Sequence, residues 1–384
     1  MLSAVRLAWL QLRREKVRLA IALAGVGFAV VLVFMQLGFM DALFRSAVNV
    51  HAQLNADVVL VHPNYNILPR PTSFSRRRLY QALGFPGVAS VTAVHFAIAH
   101  WKHPVDGSSQ DIFVLGVDPA SDALTGPDMA EVLRLIRYPD VALFDEASRP
   151  EFGPVPALFR ERGEVSTEVN DRRITIRGLF HLGTSFGVDG TILTSDLNYR
   201  RLFPMYPPGG IGLGLVRVQP GVDPRAVRAA LVTGLPHDVR VMTKDEFMGA
   251  EIVYWSTKTP IGFVFAFGVV IGLVVGMIIV YQILFADIAD HMAEYATLKA
   301  MGYANRYLAG VVVMEATILA ALGYLPGMAV ALWLFGIAHR ATMLPMEISP
   351  VRATEVLALT LVMCWASGLI AMRKLRTVDP ADVF

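Results

Sequence analysis

The sequence predicts an α-helical membrane protein with four transmembrane helices and a large α+β domain inserted between helices 1 and 2. Three observations carry this prediction. The 384 residues are 54% hydrophobic and 17% charged, with mean hydropathy +0.50, too apolar for a soluble enzyme of this length. Four charge-poor runs come close to or exceed the roughly 20 residues that a helix needs to cross a hydrocarbon core. Between the first and second runs lie about 218 residues of mixed composition, punctuated by Pro and Gly and rich in short alternating segments.

Residues 1–18 carry Arg6, Arg13, Arg14, Lys16 and Arg18, interleaved with Val5, Trp9 and Leu12. That spacing predicts an amphipathic helix on an anionic inner leaflet, with Trp9 at headgroup level. The first span is 19–40, uncharged from Ala20 to Met40. A cleaved signal peptide would have an apolar core of only about 7 to 15 residues, so the run reads as a retained span.

The inserted domain, 41–258, forms one or two subdomains. Arg173-Ile174-Thr175-Ile176-Arg177 alternates as a half-buried strand does. Val58–Val61, Ile112–Val117, Leu215–Val218 and Val239–Met242 also read as strands. Asp223-Pro224 supplies an N-cap and a proline at the first helical position, with Gly234 to close that helix. Thr243 and Glu246 form a capping box that opens a second helix. The stretches Pro150–Pro156 and Pro204–Gly214 read as mobile loops. Cys364 is the only cysteine, so no intrachain disulfide forms and the domain depends on its own core.

The last third returns to the membrane. The second span, 259–286, contains 25 residues without formal charge, Ile261 to Phe285. A polar helix follows over 287–306. The third span, 307–338, has 32 residues, about 48 Å at the helical rise. Two spans of about 16 would each be too short, so one long helix is predicted, kinked near Gly323, Pro326 and Gly327. A short loop, 339–353, leads to the fourth span, 354–372, and the tail 373–384 begins with Arg373, Lys374 and Arg376. Counting Lys and Arg in the short segments gives ten on the side of both termini and two, Arg340 and Arg352, on the other. The positive-inside rule then places both ends inside and the large domain outside.

Few residues suggest chemistry. Gly183-Thr184-Ser185-Phe186-Gly187 matches a nucleophile-elbow pattern, but Asp189-Gly190 and Thr191–Thr194 read as a turn into a strand instead of the required helix. Gly210-x-Gly212-x-Gly214 also leads into a strand, so it reads as a tight loop. His95 and His100 point to opposite faces at strand spacing, so they and His103 make a poor metal cluster. No phosphate-binding G-x-x-x-x-G-K-[ST] loop occurs. The sequence therefore predicts no catalytic residue, no metal site and no cofactor in this chain, and nothing suggests a nucleic-acid partner. Glu315 sits roughly 12 Å into the third span. It is a polar pivot between spans or protomers, a static interhelical hydrogen-bonding group, or a protonated Glu near the inner interface.

Between the second and third spans, Asp287, Asp290 and Glu294 fall at i, i+3 and i+7 as one acidic stripe, beside an apolar stripe of Ile288, Met292 and Tyr295. Like charges at that spacing repel, which predicts a cationic neighbour such as Arg13 and Arg14 or a partner's basic patch. Gly302 suits a left-handed C-cap. A solvated loop helix is the plainer reading of the same residues.

Glu294 to Gly302, EYATLKAMG, resembles the cytoplasmic coupling helix of MacB/FtsX-type ABC transporter permeases, most closely the DevC branch. The approach Tyr254-Trp255 to Gly262, His291 to Tyr303, Asp379-Pro380, and Leu7-Ala8-Trp9 with Arg13-Arg14 share the resemblance. It implies a homodimeric permease of the bacterial inner membrane with four spans per chain and a large periplasmic domain. It implies a separate ABC ATPase that binds ATP and Mg, a periplasmic adaptor, and an outer-membrane TolC-like channel. A fused ATPase is not expected, because the chain starts almost at the first span. On this resemblance the ATPase-binding residues are Asp290, Glu294, Tyr295, Leu298, Lys299, Met301 and Gly302, with Tyr295 and Glu294 the expected hot spots. Where relatives often carry Arg before the Glu, this chain has Asp290-His291-Met292-Ala293. An FtsX-like signalling subunit that activates a periplasmic hydrolase, a lipoprotein-extracting subunit and a membrane-anchored enzyme are the alternatives.

Overall fold

The computed structural model describes residues 16–70, 72–126, 129–183, 185 and 187–376. Most of the amino-terminal amphipathic segment and Asp379-Pro380 lie outside them. The chain forms two compact units. One joins the described residues up to Ala42 to those from Pro260 onward, and the other is Leu43–Thr259.

Four helices are long and apolar enough to cross a membrane: Leu19–Ala47, Pro260–Asp290, Arg306–Thr342 and Pro350–Met372. The third is one helix, Asn305–Thr342, with Pro326 inside it. In lipid, apolar side chains gain little by leaving their surroundings, so close packing must supply the association. Small residues provide it. A β-carbon at Gly276 would lie 2.6 Å from that of Ala29 and 2.5 Å from the sulfur of Met363, so spans one, two and four meet there. At Gly327 it would lie 2.9 Å from the carbonyl oxygen of Gly27, which fixes the crossing of spans one and three. Polar links add direction. Ser367 donates to the Met277 carbonyl at 2.9 Å, and Tyr324 to that of Ala353 at 2.8 Å. Arg352 grips Asp41 through two 2.5 Å contacts, joining the start of span four to span one. Phe263, Val264, Phe267 and Val270 stay exposed along span two.

The second unit is built on eleven strands: β1 (Val58–Val61), β2 (Phe74–Ser75), β3 (Val88–Lys102), β4 (Ser109–Val117), β5 (Val141–Asp145), β6 (Val165–Val169), β7 (Arg172–Phe180), β8 (Thr191–Ser195), β9 (Gly210–Ile211), β10 (Leu213–Val218) and β11 (Arg240–Thr243). Nine form a single mixed sheet in the order β11-β1-β10-β3-β4-β8-β5-β7-β6, while β2 pairs with β9. β4 runs parallel to β8 and β5 parallel to β7; the other pairs are antiparallel. Alternation works as expected on β7, where Ile174 and Ile176 are buried and Arg173 and Arg177 exposed. Central strands such as β1, β5 and β8 are buried at every position, as strands covered on both faces must be.

Helix starts follow local chemistry. Asp223 accepts from the amide of Arg225 and opens the helix Pro224–Gly234. At Thr243 and Glu246 both bonds of the capping box form, 2.9 and 3.2 Å, and open the helix Lys244–Val253. The two stretches read as mobile loops are packed in part, although Pro204, Met205 and 207–209 stay exposed. Pro150–Phe152 is a 3-10 turn whose Phe152 is 2% exposed and whose carbonyl accepts from the Trp101 indole at 3.0 Å. Within 204–214, β9 and the start of β10 are buried. Pro and Gly there set turn geometry next to core-forming Phe152, Ile211 and Leu213, and the core decides the outcome.

Candidate coupling site

The polar segment after the second span differs from its sequence reading in where it begins. The span-two helix continues through Asp290, and the short helix is Met292–Ala300. Between them His291 leaves helical geometry (φ −96°, ψ 15°). Its ring Nδ1 donates to the carbonyl of Asp287 at 3.0 Å and lies 3.5 Å from that residue's carboxylate, covering the helix end. This break splits the acidic stripe. Asp287 is 6% exposed and faces inward, whereas Asp290 and Glu294 are exposed.

Ile288, Tyr295 and Ala296 are buried in the membrane unit's own core, with Met292 and Leu298 packed against it. Tyr295, 2% exposed, is therefore not an outward hot spot. Burial pushes its phenol pKa up, and the charges of Glu315, Asp287 and Glu294 add to this. The outward side carries Glu294, with Lys299 half-buried, and then Met301 (62% exposed) and Tyr303 (45%) at the exit turn. That turn is a Schellman motif: Tyr303 N donates to Leu298 O at 3.1 Å, and Gly302 N to Lys299 O at 3.0 Å. Gly302 has φ 90°, which the motif demands and a side chain resists.

Glu315 is fully buried in span three, and neither carboxylate oxygen has a hydrogen-bond partner among the described residues. The hydroxyl of Tyr295 also lacks one. Among the described residues nothing supplies the static hydrogen bond read for Glu315.

The remaining motifs are structural. Ser185 bridges to Val188 in a tight turn, Gly183 and Gly187 taking positive φ, and no helix follows it. His95 is fully buried on β3, stacked 5.1 Å from Tyr199, while His100 is exposed and pairs with Asp111 at 2.9 Å. Among the described residues no three His, Cys, Asp or Glu gather as metal ligands.

The chain matches two family descriptions, a MacB-like periplasmic core domain over residues 19–233 and an FtsX-like permease C-terminal region over 266–380. The chain belongs to the MacB/FtsX permease family. These are ABC transporter permease subunits, and the four spans with a MacB-like periplasmic domain make this one a multi-pass membrane protein. Three solved structures are similar to it. The periplasmic region of MacB from Actinobacillus actinomycetemcomitans is 12% identical, with 53% of this chain and 96% of that chain covered and a TM-score of 0.36. The extracellular domain of the noncanonical ABC-type transporter YknZ from Gram-positive bacteria is 14% identical (48% and 99% covered, TM-score 0.31). A permease-protein domain from Porphyromonas gingivalis is 17% identical (50% and 89% covered, TM-score 0.30). No curated protein matches the chain.

One feature of this MacB/FtsX-type permease escaped the sequence reading. In the periplasmic-type unit, Glu251 is 1% exposed yet fully engaged. Its Oε2 accepts from the Tyr65 hydroxyl (3.3 Å) and the Leu68 amide (3.2 Å) and lies 3.3 Å from His51 Nε2. Its Oε1 accepts from the Trp255 indole at 3.0 Å. Lys244 Nζ donates to the carbonyls of Ala52 and Leu54, which end the short helix Asn49–Gln53. The segment that follows span one in sequence is thereby clamped to the helix that precedes span two. Only a lone Glu amid apolar neighbours could have signalled it, since apart from Trp255 its hydrogen-bond partners lie more than 180 residues away.

Proposed function

We propose that this chain is the permease subunit of an ABC-type exporter of the bacterial inner membrane that works by mechanotransmission. In this reading both termini are cytoplasmic, the permease is a homodimer, and a separate ABC ATPase holds ATP and Mg. The ATPase pushes on the helix Met292–Ala300. The spans carry that movement to the periplasmic domains, which hand substrate to an adaptor and an outer-membrane channel, the DevC-type arrangement. A two-state element biased by nucleotide is the physical content of such coupling.

The observation that supports it is how this short helix is held. It sits between two spans, its inner face is fixed by Tyr295 and Ala296 in the membrane core, and its exit is set by the Schellman turn at Gly302. A helix fixed on one face moves only with the spans. Its outward face offers Met301 and Tyr303 beside Glu294, the mix of exposed large side chains and charge that interfaces favour. The ten-to-two Lys and Arg asymmetry supports the orientation.

The test is co-purification of the co-expressed ABC ATPase in detergent. Met301→Glu and Glu294→Lys should each weaken recruitment at least tenfold without affecting membrane insertion. Gly302→Val should retain the ATPase but lose stimulation of its phosphate release, because a β-branched residue resists φ near 90°. Normal recruitment and stimulation in all three variants would reduce the helix to a connecting loop.

A further inference from the structure

The periplasmic-type unit ends on an uncovered strand. β11 is the outermost strand of the nine-stranded sheet, paired only with β1. The Lys244 amide donates to the Asp57 carbonyl at 3.0 Å across that ladder, which by antiparallel alternation turns the N–H and C=O of Val241 away from β1. They face into a slot of about 870 Å³. One wall is the helix Pro224–Gly234 and its exit, through Leu231, Val232 and Leu235; the other is Lys244–Val253, through Ala250 and Val253. Val232 and Val253 are 47% and 56% exposed, so apolar surface is open on both walls. At the Thr243 end the ion pair Arg228–Glu246, 3.2 Å, joins the two walls. At the Arg240 end stand His237, Arg240 and Lys258, all exposed, and none pairs with a carboxylate among the described residues.

We propose that this slot docks an extended segment of a partner protein, which adds to β11 as a tenth strand. The backbone edge supplies the register, and successive side chains of an added strand point alternately to the two walls. Both walls being apolar, the segment is apolar or β-branched along its length. The unpaired cations at one end require acidic residues at the matching end of the segment. The occupant is thus an apolar peptide segment with an acidic terminus. An anionic amphiphile would use the cations and the walls but leave the Val241 edge unused.

The experiment uses the full chain in lipid nanodiscs with a fluorescein-labelled heptapeptide of alternating valine and threonine ending in two glutamates. A counterpart ending in two lysines and dodecyl phosphate serve as comparisons. The acidic peptide is expected to bind at least tenfold more tightly than the basic one and to slow hydrogen exchange at the Val241 amide. Val241→Pro, which removes the outward donor, should abolish binding. The double variant Arg240→Glu, Lys258→Glu, confined to exposed side chains, should reverse the preference between peptides. Equal binding of the two peptides, unchanged binding in the double variant, or no protection at Val241 would each overturn the proposal. Binding of dodecyl phosphate with no peptide binding would overturn it in favour of an amphiphile site.

Discussion

Glu251 and Glu315 are both withheld from solvent, at 1% and 0% exposure, and they show how differently the two units treat a buried charge. In the extramembrane unit the carboxylate accepts from an indole, a backbone amide and a phenol, so both oxygens are engaged. In the membrane unit the carboxylate meets no donor of its own chain among the described residues. A buried polar group is costly unless it is satisfied. The first arrangement is thus a structural clamp. The second is a group kept at a cost, as polar groups within spans are when they serve function.

The largest effect that would sharpen this contrast comes from the clamp. Glu251→Ala leaves the Tyr65 hydroxyl, the Trp255 indole N–H and the Leu68 amide without their acceptor in a buried site. At roughly 1 to 3 kcal/mol per orphaned group, the loss should reach at least about 3 kcal/mol. Thermal unfolding followed by tryptophan fluorescence should show a clearly lower midpoint. Glu251→Gln should lose less, because one oxygen remains. A midpoint unchanged in Glu251→Ala would show that water replaces the carboxylate and that no clamp exists.

A smaller, pH-dependent effect tests a buried group of the same unit that is left unsatisfied. His95 has no partner for either ring nitrogen, and burial, helped by the nearby Arg200 and Arg76, lowers its pKa from 6.5 to about 4. The folded state therefore binds the proton less readily than the unfolded chain. Stability from this residue is complete above about pH 6.5 and is lost as pH falls towards 4, by up to about 3 kcal/mol at roughly 1.4 kcal/mol per pKa unit. His95→Phe should flatten that part of the stability profile. A wild-type profile already flat between pH 6.5 and 4 would mean that the imidazole has a partner in solution.

How much of this was legible in the sequence follows from the range of the forces involved. Charge-free runs, the Asp223 cap, the Thr243–Glu246 box and the alternation of Ile174 and Ile176 are local, and each appears where its pattern placed it. The single nine-stranded sheet depends on pairings such as β1 with β10 and β4 with β8, which no local pattern encodes. Phe152 reads as part of a Pro- and Gly-rich loop until Trp101 is known to sit against it. In the segment between spans two and three, the residue types and the Gly302 turn were readable. The break at His291 was not, because neither Pro nor Gly marks it; a side chain bonding back to Asp287 does. Asp287 faces inward on the span-two helix before the break, and after it Tyr295 is buried while Tyr303 is the exposed aromatic.

The smallest expected effect on stability, and the most direct way to break the comparison, is at Glu315. Replacing a buried ionisable group by an apolar one of similar size is neutral or stabilising when no partner is left behind. Glu315→Leu should thus shift the unfolding midpoint in nanodiscs by no more than about 1 kcal/mol equivalent, in either direction. If the carboxylate serves coupling, ATP-dependent phosphate release by the recruited ATPase should fall or become independent of the permease while recruitment stays normal. Tyr295→Phe, which removes only the neighbouring hydroxyl, should move the same readout less. Destabilisation by Glu315→Leu of several kcal/mol would mean that the carboxylate is satisfied by a donor from outside the described chain. The contrast between a clamped and an unclamped glutamate would then vanish, and a second protomer would be the first place to look for that donor.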